Sequence, residues 1–217
     1  VDTYRVVPGD LIIGFSSTGQ SILEDTPNSS VGSNGLTLAR NALLSSYHSE
    51  KYPEVSAPEI SRDVAYRGRF KVTDSATSLG MTVGQALLSP TRTYAPLISR
   101  VLEKFRPDIH SLIHCTGGGQ TKIKRFGKNV RFEKDDLFPI PPLFSLIQES
   151  GDIPWHEMYA VFNMGHRLEA CVSPSVAGKI VEVSGQFGIA AKVIGRVTLK
   201  DGENEVVITS PHGRFVY

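Results

Sequence analysis

Three consecutive glycines, Gly117, Gly118 and Gly119, follow directly on the apolar run Leu112-Ile113-His114-Cys115, and this junction constrains the fold more than any other stretch. The run reads as a buried strand. The glycines after it reach φ > 0 without a steric penalty and leave bare backbone on one side of the chain. A strand that ends this way can aim several N–H groups at one point, which suits a phosphate or a carboxylate. Thr116 adds a hydroxyl before the turn, and Lys122, Lys124 and Arg125 add positive charge after it. The spacing is neither that of a Walker A loop nor that of a dinucleotide-binding fingerprint. A plain tight turn between two elements fits the same residues.

Any anion site must be built locally, because the 217 residues carry a formal charge of only +1. That balance argues against a nucleic-acid-binding surface. No apolar run approaches the ~20 residues of a membrane-spanning helix, and no signal peptide opens the chain. Cys115 and Cys171 both lie in apolar runs without metal-ligand spacing, so buried free thiols and a cytoplasmic home are expected. The chain lacks an initiator Met and enters a strand at once, as a domain cut from a longer protein would.

Along the chain, Leu11, Ile12, Ile13 and Phe15 read as a first strand, followed by the polar turn Ser16-Ser17-Thr18-Gly19. A polar loop over residues 24–32 then leads to Ser33-Asn34-Gly35. Leu36, Ala39, Leu43 and Tyr47 recur at helical spacing, and Ser33 or Asn34 is placed to cap that helix. Its free N–H groups and positive dipole end make a second candidate anion site, a plain cap being the alternative. Residues 49–82 show no firm period. Tyr94, Leu97, Ile98, Val101, Leu102 and Phe105 form one apolar helix face, with Ser89-Pro90-Thr91 as the start signal.

Residues 131–137 read as charged and exposed. Short helices are expected after Pro142 and after Pro154, the second stopping at Gly165. Residues 167–172 alternate as a strand, a helix follows Ser173-Pro174, and strands are expected over 189–197, 205–209 and 214–217. The pattern predicts one domain of the α+β or α/β class, spanning residues 1–217, with a mixed sheet packed by helices.

None of the six histidines forms a metal-ligand pair, so no metal is expected on this chain. His114, beside the glycine turn, is the one candidate for catalysis, as a donor to an oxyanion; a satisfied core histidine is the alternative. No G-x-S-x-G context surrounds Ser16 or Ser17, and no acidic cluster adjoins the glycines to hold magnesium.

Five segments in register resemble one family. L-I-I-G-F-S-S-T-G with S-N-G-L-T-L-A-R, L-L-S-P-T-R-T-Y, H-C-T-G-G-G, E-M-Y-A-V-F-N-M-G and G-I-A-A-K-V-I-G-R-V are similar to the C-terminal half of the aminoimidazole ribonucleotide synthetases, the phosphoribosylformylglycinamidine cyclo-ligases. The match runs over residues 9–197. The resemblance implies a three-layer α/β/α arrangement and a homodimeric two-domain enzyme of purine biosynthesis. Its missing N-terminal domain would supply dimer contacts and most of the ATP and Mg2+ site. The implied reaction is ATP-dependent ring closure of formylglycinamidine ribonucleotide.

Ser33, Asn34 and Gly35 fall on the family's serine-asparagine-glycine loop, Thr116, Gly117, Gly118 and Gly119 on its threonine-glycine turn, and Asn163 and Gly165 on its phenylalanine-asparagine motif. These nine residues are the expected contacts to the substrate phosphate. Two departures stand out: Gly32 where the family usually has a histidine, and His166-Arg167-Leu168 where it usually has small and apolar residues. Other readings are a related ATP-using domain, of the thiamine-monophosphate kinase or selenophosphate synthetase type, or a non-catalytic module that binds a phosphorylated metabolite or a partner.

Overall fold

The computed structural model describes residues 1–61 and 64–217. Seven strands form one sheet: β1 (Leu11–Ser16), β2 (Ile109–His114), β3 (Val130–Lys134), β4 (His166–Val172), β5 (Ala191–Leu199), β6 (Glu205–Ser210) and β7 (Gly213–Val216). Their spatial order is β7-β6-β3-β5-β1-β4-β2. Neighbours run antiparallel except β3 and β6, which are parallel, so the sheet is mixed as expected.

Alternation along the strands sends side chains to two separate cores. Ile13, Phe15, Ile109, Leu168, Ala170 and Val172 face one core with helices α4 (Ala95–Phe105) and α7 (Pro174–Gly185). Ile12, Ile113, Phe132, Cys171, Ile194 and Val206 face the other. There they meet α1 (Leu36–Leu43), α3 (Val83–Leu87), α5 (Pro142–Gly151) and α6 (Trp155–Val161). A short five-residue helix, α2 (Tyr47–Lys51), lies between α1 and α3 in the chain. Helices thus cover both faces, giving three layers.

Helix α4 follows its sequence pattern closely. Leu97 and Val101 are fully buried, and Ile98, Leu102 and Phe105 pack at the margin. Each of the two buried side chains contributes about 2 kcal/mol by leaving water. The helix begins at Ala95, with Tyr94 at the N-cap position and no side-chain cap bond, rather than at the Ser89-Pro90-Thr91 signal. Arg92 and Tyr94, from the P-T-R-T-Y segment, instead brace the end of β1. Arg92 donates to the carbonyls of Ser16, Thr18 and Gly19 and pairs with Glu24 at 2.6 Å, while the Tyr94 hydroxyl donates to the Ser16 carbonyl at 2.8 Å.

Four expectations need correction. Residues 131–137 are not an exposed charged run, since Val130–Lys134 is strand β3, between β5 and β6. Val130, Phe132 and Lys134 point inward, and outward-facing Arg131 and Glu133 find partners in Glu205 and Arg196. Three charges in five residues hid a period of two. Neither Ser33 nor Asn34 caps α1; Gly35, in a left-handed conformation at φ 73°, occupies that position with no side-chain cap bond. Tyr47 belongs to α2 because the chain turns extended at Leu44. Gly165 does not stop α6, which ends at Val161, but leads into β4 at φ 112°.

The aperiodic stretch 49–82 contains the end of α2, single 3-10 turns and a two-residue ribbon, Ser75–Ala76 with Met81–Thr82. Two of its residues, Arg62 and Asp63, lie outside the described residues. Thr82 and Gln85 then form a reciprocal capping box that starts α3.

Candidate anion-binding site

Two loops meet at one end of the sheet. The first leaves β2 through Cys115 and Thr116 into the glycine turn, where Gly117, Gly118 and Gly119 have φ of 62°, 127° and 48°. All three conformations are strained for other residues. Gly119 is required sterically as well, because a Cβ there would lie 2.5 Å from the Phe162 carbonyl oxygen. Gly117 has open space around it, and Gly118 has only ordinary van der Waals neighbours. A 3-10 helix, Gly119–Arg125, continues from the turn.

The second loop carries Gly32, Ser33, Asn34 and Gly35 into α1. Asn34 joins the two: its Oδ1 accepts from the Gly117 N–H at 2.8 Å, and its Nδ2 donates to the Val161 carbonyl at 2.6 Å. The expected bends therefore touch. One expected donor is consumed in the process, because the Gly117 N–H serves Asn34. Among the described residues the Gly118 and Gly119 N–H groups meet no protein acceptor. Lys122 folds back to donate to the Thr116 carbonyl at 2.9 Å, which places its ammonium against the turn. Ser33 is exposed, and Gly35 packs so tightly on Phe162 that a side chain would collide with the ring. Lys124 is on another surface, beside Lys128 and Asn204.

Asn163 and Gly165 lie deeper. Asn163 is wholly buried; its Oδ1 accepts from the Ser17 and Ser30 hydroxyls and the Gly165 N–H, and its Nδ2 donates to the Ser30 carbonyl. With every polar atom engaged inside the protein, it ties the end of β1, the loop before Gly32 and the start of β4 together. Its geometry is that of a brace under the site.

His114, the last residue of β2, is half-buried with its ring edge-on to Tyr94. Burial, together with the positive charges of Arg167 and Lys122, holds its imidazole below the ordinary value. The ring is therefore neutral at pH 7 and able to accept a proton or donate through one nitrogen.

Under the turn is a network that sequence reading missed. Lys134 Nζ donates to Glu169 Oε1 at 2.5 Å and to the backbone and side-chain oxygens of Gln120 at 2.6 and 3.2 Å. His166 Nε2 also meets Glu169 Oε1, at 2.9 Å, and Gln120 Nε2 donates to the carbonyls of Asn163 and His166. All four side chains are fully buried. Gln120 follows the last turn glycine, so the network clamps the turn to β3 and β4. Burial alone would push the Glu169 carboxyl up, yet the Lys134 charge and His166 hold it below the usual range. Burial pushes the His166 imidazole down.

These shifts share one sign. A histidine held down in the fold binds its proton more readily when unfolded, so stability is complete above the unfolded value of about 6.5 and falls as pH drops below it. His48, His114 and His166 all move this way. Glu169, held below the usual carboxylate range, adds a further loss as pH falls below the ordinary carboxylate value of about 4.3. The melting temperature is expected to be level above about pH 7 and to fall toward pH 5, with a shallower slope in His166→Gln. A melting temperature that rises on acidification would contradict this.

Cys115 and Cys171 are buried free thiols; burial pushes Cys171 up to about 12 and Cys115 well up, so neither is poised as a nucleophile. A concavity of about 640 Å³ elsewhere is bounded by Phe138, Tyr159, Lys192 and His212 but includes none of the two-loop residues. Its acids Asp135 and Asp136 are paired with Arg196 and Lys192. Among the described residues no group of His, Cys, Asp and Glu could hold a metal ion, and no helix is long and apolar enough to cross a membrane.

The model of the AIR synthase related protein C-terminal domain matches residues 7–208. A phosphoribosylformylglycinamidine cyclo-ligase of Methanococcus vannielii is 34% identical over 214 residues, covering 96% of this chain and 51% of the relative. One of Methanopyrus kandleri is 32% identical, covering 95% and 48%. The chain therefore spans about half the length of the named relatives it matches. Among solved structures, Thermotoga maritima PurL complexed with FGAR superposes with a TM-score of 0.51 at 14% identity, over 100% of this chain and 28% of that one. E. coli HypE, a hydrogenase maturation protein, gives 0.50 at 16%, over 99% and 51%. At such identities these two likenesses concern the fold alone. By the sequence match, this chain belongs to the family of AIR synthase related protein C-terminal domains.

Proposed function

We propose that this chain is the substrate-phosphate-binding half of an ATP-dependent cyclo-ligase of purine biosynthesis, acting on formylglycinamidine ribonucleotide. The names of the relatives at 32–34% identity support the activity. The observation that carries the binding role is the Asn34–Gly117 hydrogen bond, which brings the α1 loop and the glycine turn to one place. There the Gly118 and Gly119 N–H groups, the Lys122 ammonium and the first turn of α1 offer hydrogen bonds and positive potential to one phosphate. In this reading Asn34 positions the turn, Thr116 and Ser33 add hydroxyls at its rim, and Asn163 and Gly165 hold the floor. Neutral His114, beside the turn, is the candidate donor to an oxyanion in this reading.

Among the described residues no group of three or more His, Cys, Asp and Glu is gathered to hold a metal ion. ATP, Mg2+ and the homodimer contacts are assigned to the part of a relative's length that this chain does not span, and the whole enzyme to the cytoplasm. The test compares this chain with its full-length parent in an assay of ATP-dependent imidazole formation. The parent is expected to turn over and the chain alone to give no product. Turnover by the chain would contradict the divided site, and an inactive, folded parent would favour a binding module.

A further inference from the structure

Among the described residues the buried charges are paired, with one exception. Lys134 and His166 meet Glu169, Arg92 meets Glu24, and Asp10 meets His110 at 2.8 Å. Arg167, 1% exposed, forms no ion pair among the described residues. Its Nη2 donates to the Ser30 carbonyl at 2.5 Å, while its Nε and Nη1 are buried with no hydrogen-bond partner among the described residues. The Ser30 carbonyl does not need that bond, because Asn163 Nδ2 already donates to it at 2.7 Å. A buried guanidinium with two idle donors and no counter-charge is costly to the ligand-free fold.

Its position gives the cost a purpose. The Arg167 carbonyl accepts from the Cys115 N–H at 2.5 Å, directly before the glycine turn, and the side chain extends beneath Gly32, directly before Ser33 and Asn34. The guanidinium therefore lies directly under Gly32, in the loop that carries Asn34 to the glycine turn. Gly32 has φ 52°, and a Cβ there would run into the guanidinium nitrogens, so the glycine at this position is what admits the arginine. Gly32 and Arg167 thus form a single local arrangement.

We propose that Arg167 supplies the positive charge that balances the bound phosphate, acting as a charge-positioning residue from under the Gly32 loop. This rests on the two-loop junction being the phosphate site. Ribose 5-phosphate, the probe, is titrated calorimetrically into the wild-type chain, Arg167→Met and Arg167→Lys, and ligand-free melting temperatures are measured alongside. Arg167→Met is expected to bind at least tenfold more weakly while melting no lower than wild type, because a buried unpaired charge has been removed. Arg167→Lys should retain part of the affinity. Unchanged affinity in Arg167→Met, with wild type binding, would overturn the role of Arg167 and leave the junction standing. A ligand-free melting temperature well below wild type would make the guanidinium a structural element and overturn the proposal. Failure of the wild-type chain to bind would remove the phosphate site itself, and this inference with it.

Discussion

Lys134→Met is expected to lower stability by about 3–5 kcal/mol, because the substitution leaves the Glu169 carboxylate buried without its counter-charge. For a chain of this size the loss corresponds to a melting-temperature drop on the order of 10 °C. Methionine nearly matches the volume of the lysine stem, so packing around Phe132 should survive and the loss should report the charge. The Gln120 oxygens lose their donor as well, which loosens the helix Gly119–Arg125 that anchors the glycine turn. Lys134→Met combined with Glu169→Gln should recover most of the loss, since no unpaired charge is then buried. Denaturant melts of the three proteins decide the matter. A single variant as stable as wild type would mean that the network does not bear on the fold.

That network also marks where sequence reading stops. The amphipathic helix α4 and strand β1 were legible because their periodicity is local and their apolar faces are unbroken. Strand β3 was not, since Arg131, Glu133 and Lys134 look like a solvated run until Glu169, 35 positions on, is brought alongside Lys134. The glycine turn was legible as a bend, because three left-handed residues in succession admit little else. That its first N–H is spent on Asn34 depends on a contact across 83 positions, which no local pattern encodes. Asn163 could be marked as important from its motif, whereas its burial as a brace required the Ser17 and Ser30 hydroxyls to arrive from elsewhere. Arg167 was visible only as an odd residue. Its missing partner is a property of the whole fold.

In the proposed site the glycine turn presents free amides to an anion, and Gly118 isolates that contribution. A Cβ at this position would meet Lys122 Cα no closer than 3.5 Å, so a side chain has room. The backbone at φ 127° is nevertheless a conformation that β-branched residues avoid, and valine would turn the Gly118 and Gly119 N–H groups away from their present direction. Two hydrogen bonds to a charged group, at about 1.5 kcal/mol each, correspond to roughly 100-fold in affinity. Calorimetric titration of ribose 5-phosphate into wild type and Gly118→Val, with thermal melts of both, is the direct measurement. The variant should stay folded but melt several degrees lower, because valine is strained at this φ, while it loses about two orders of magnitude in affinity. Equal affinity in a folded Gly118→Val would contradict the account.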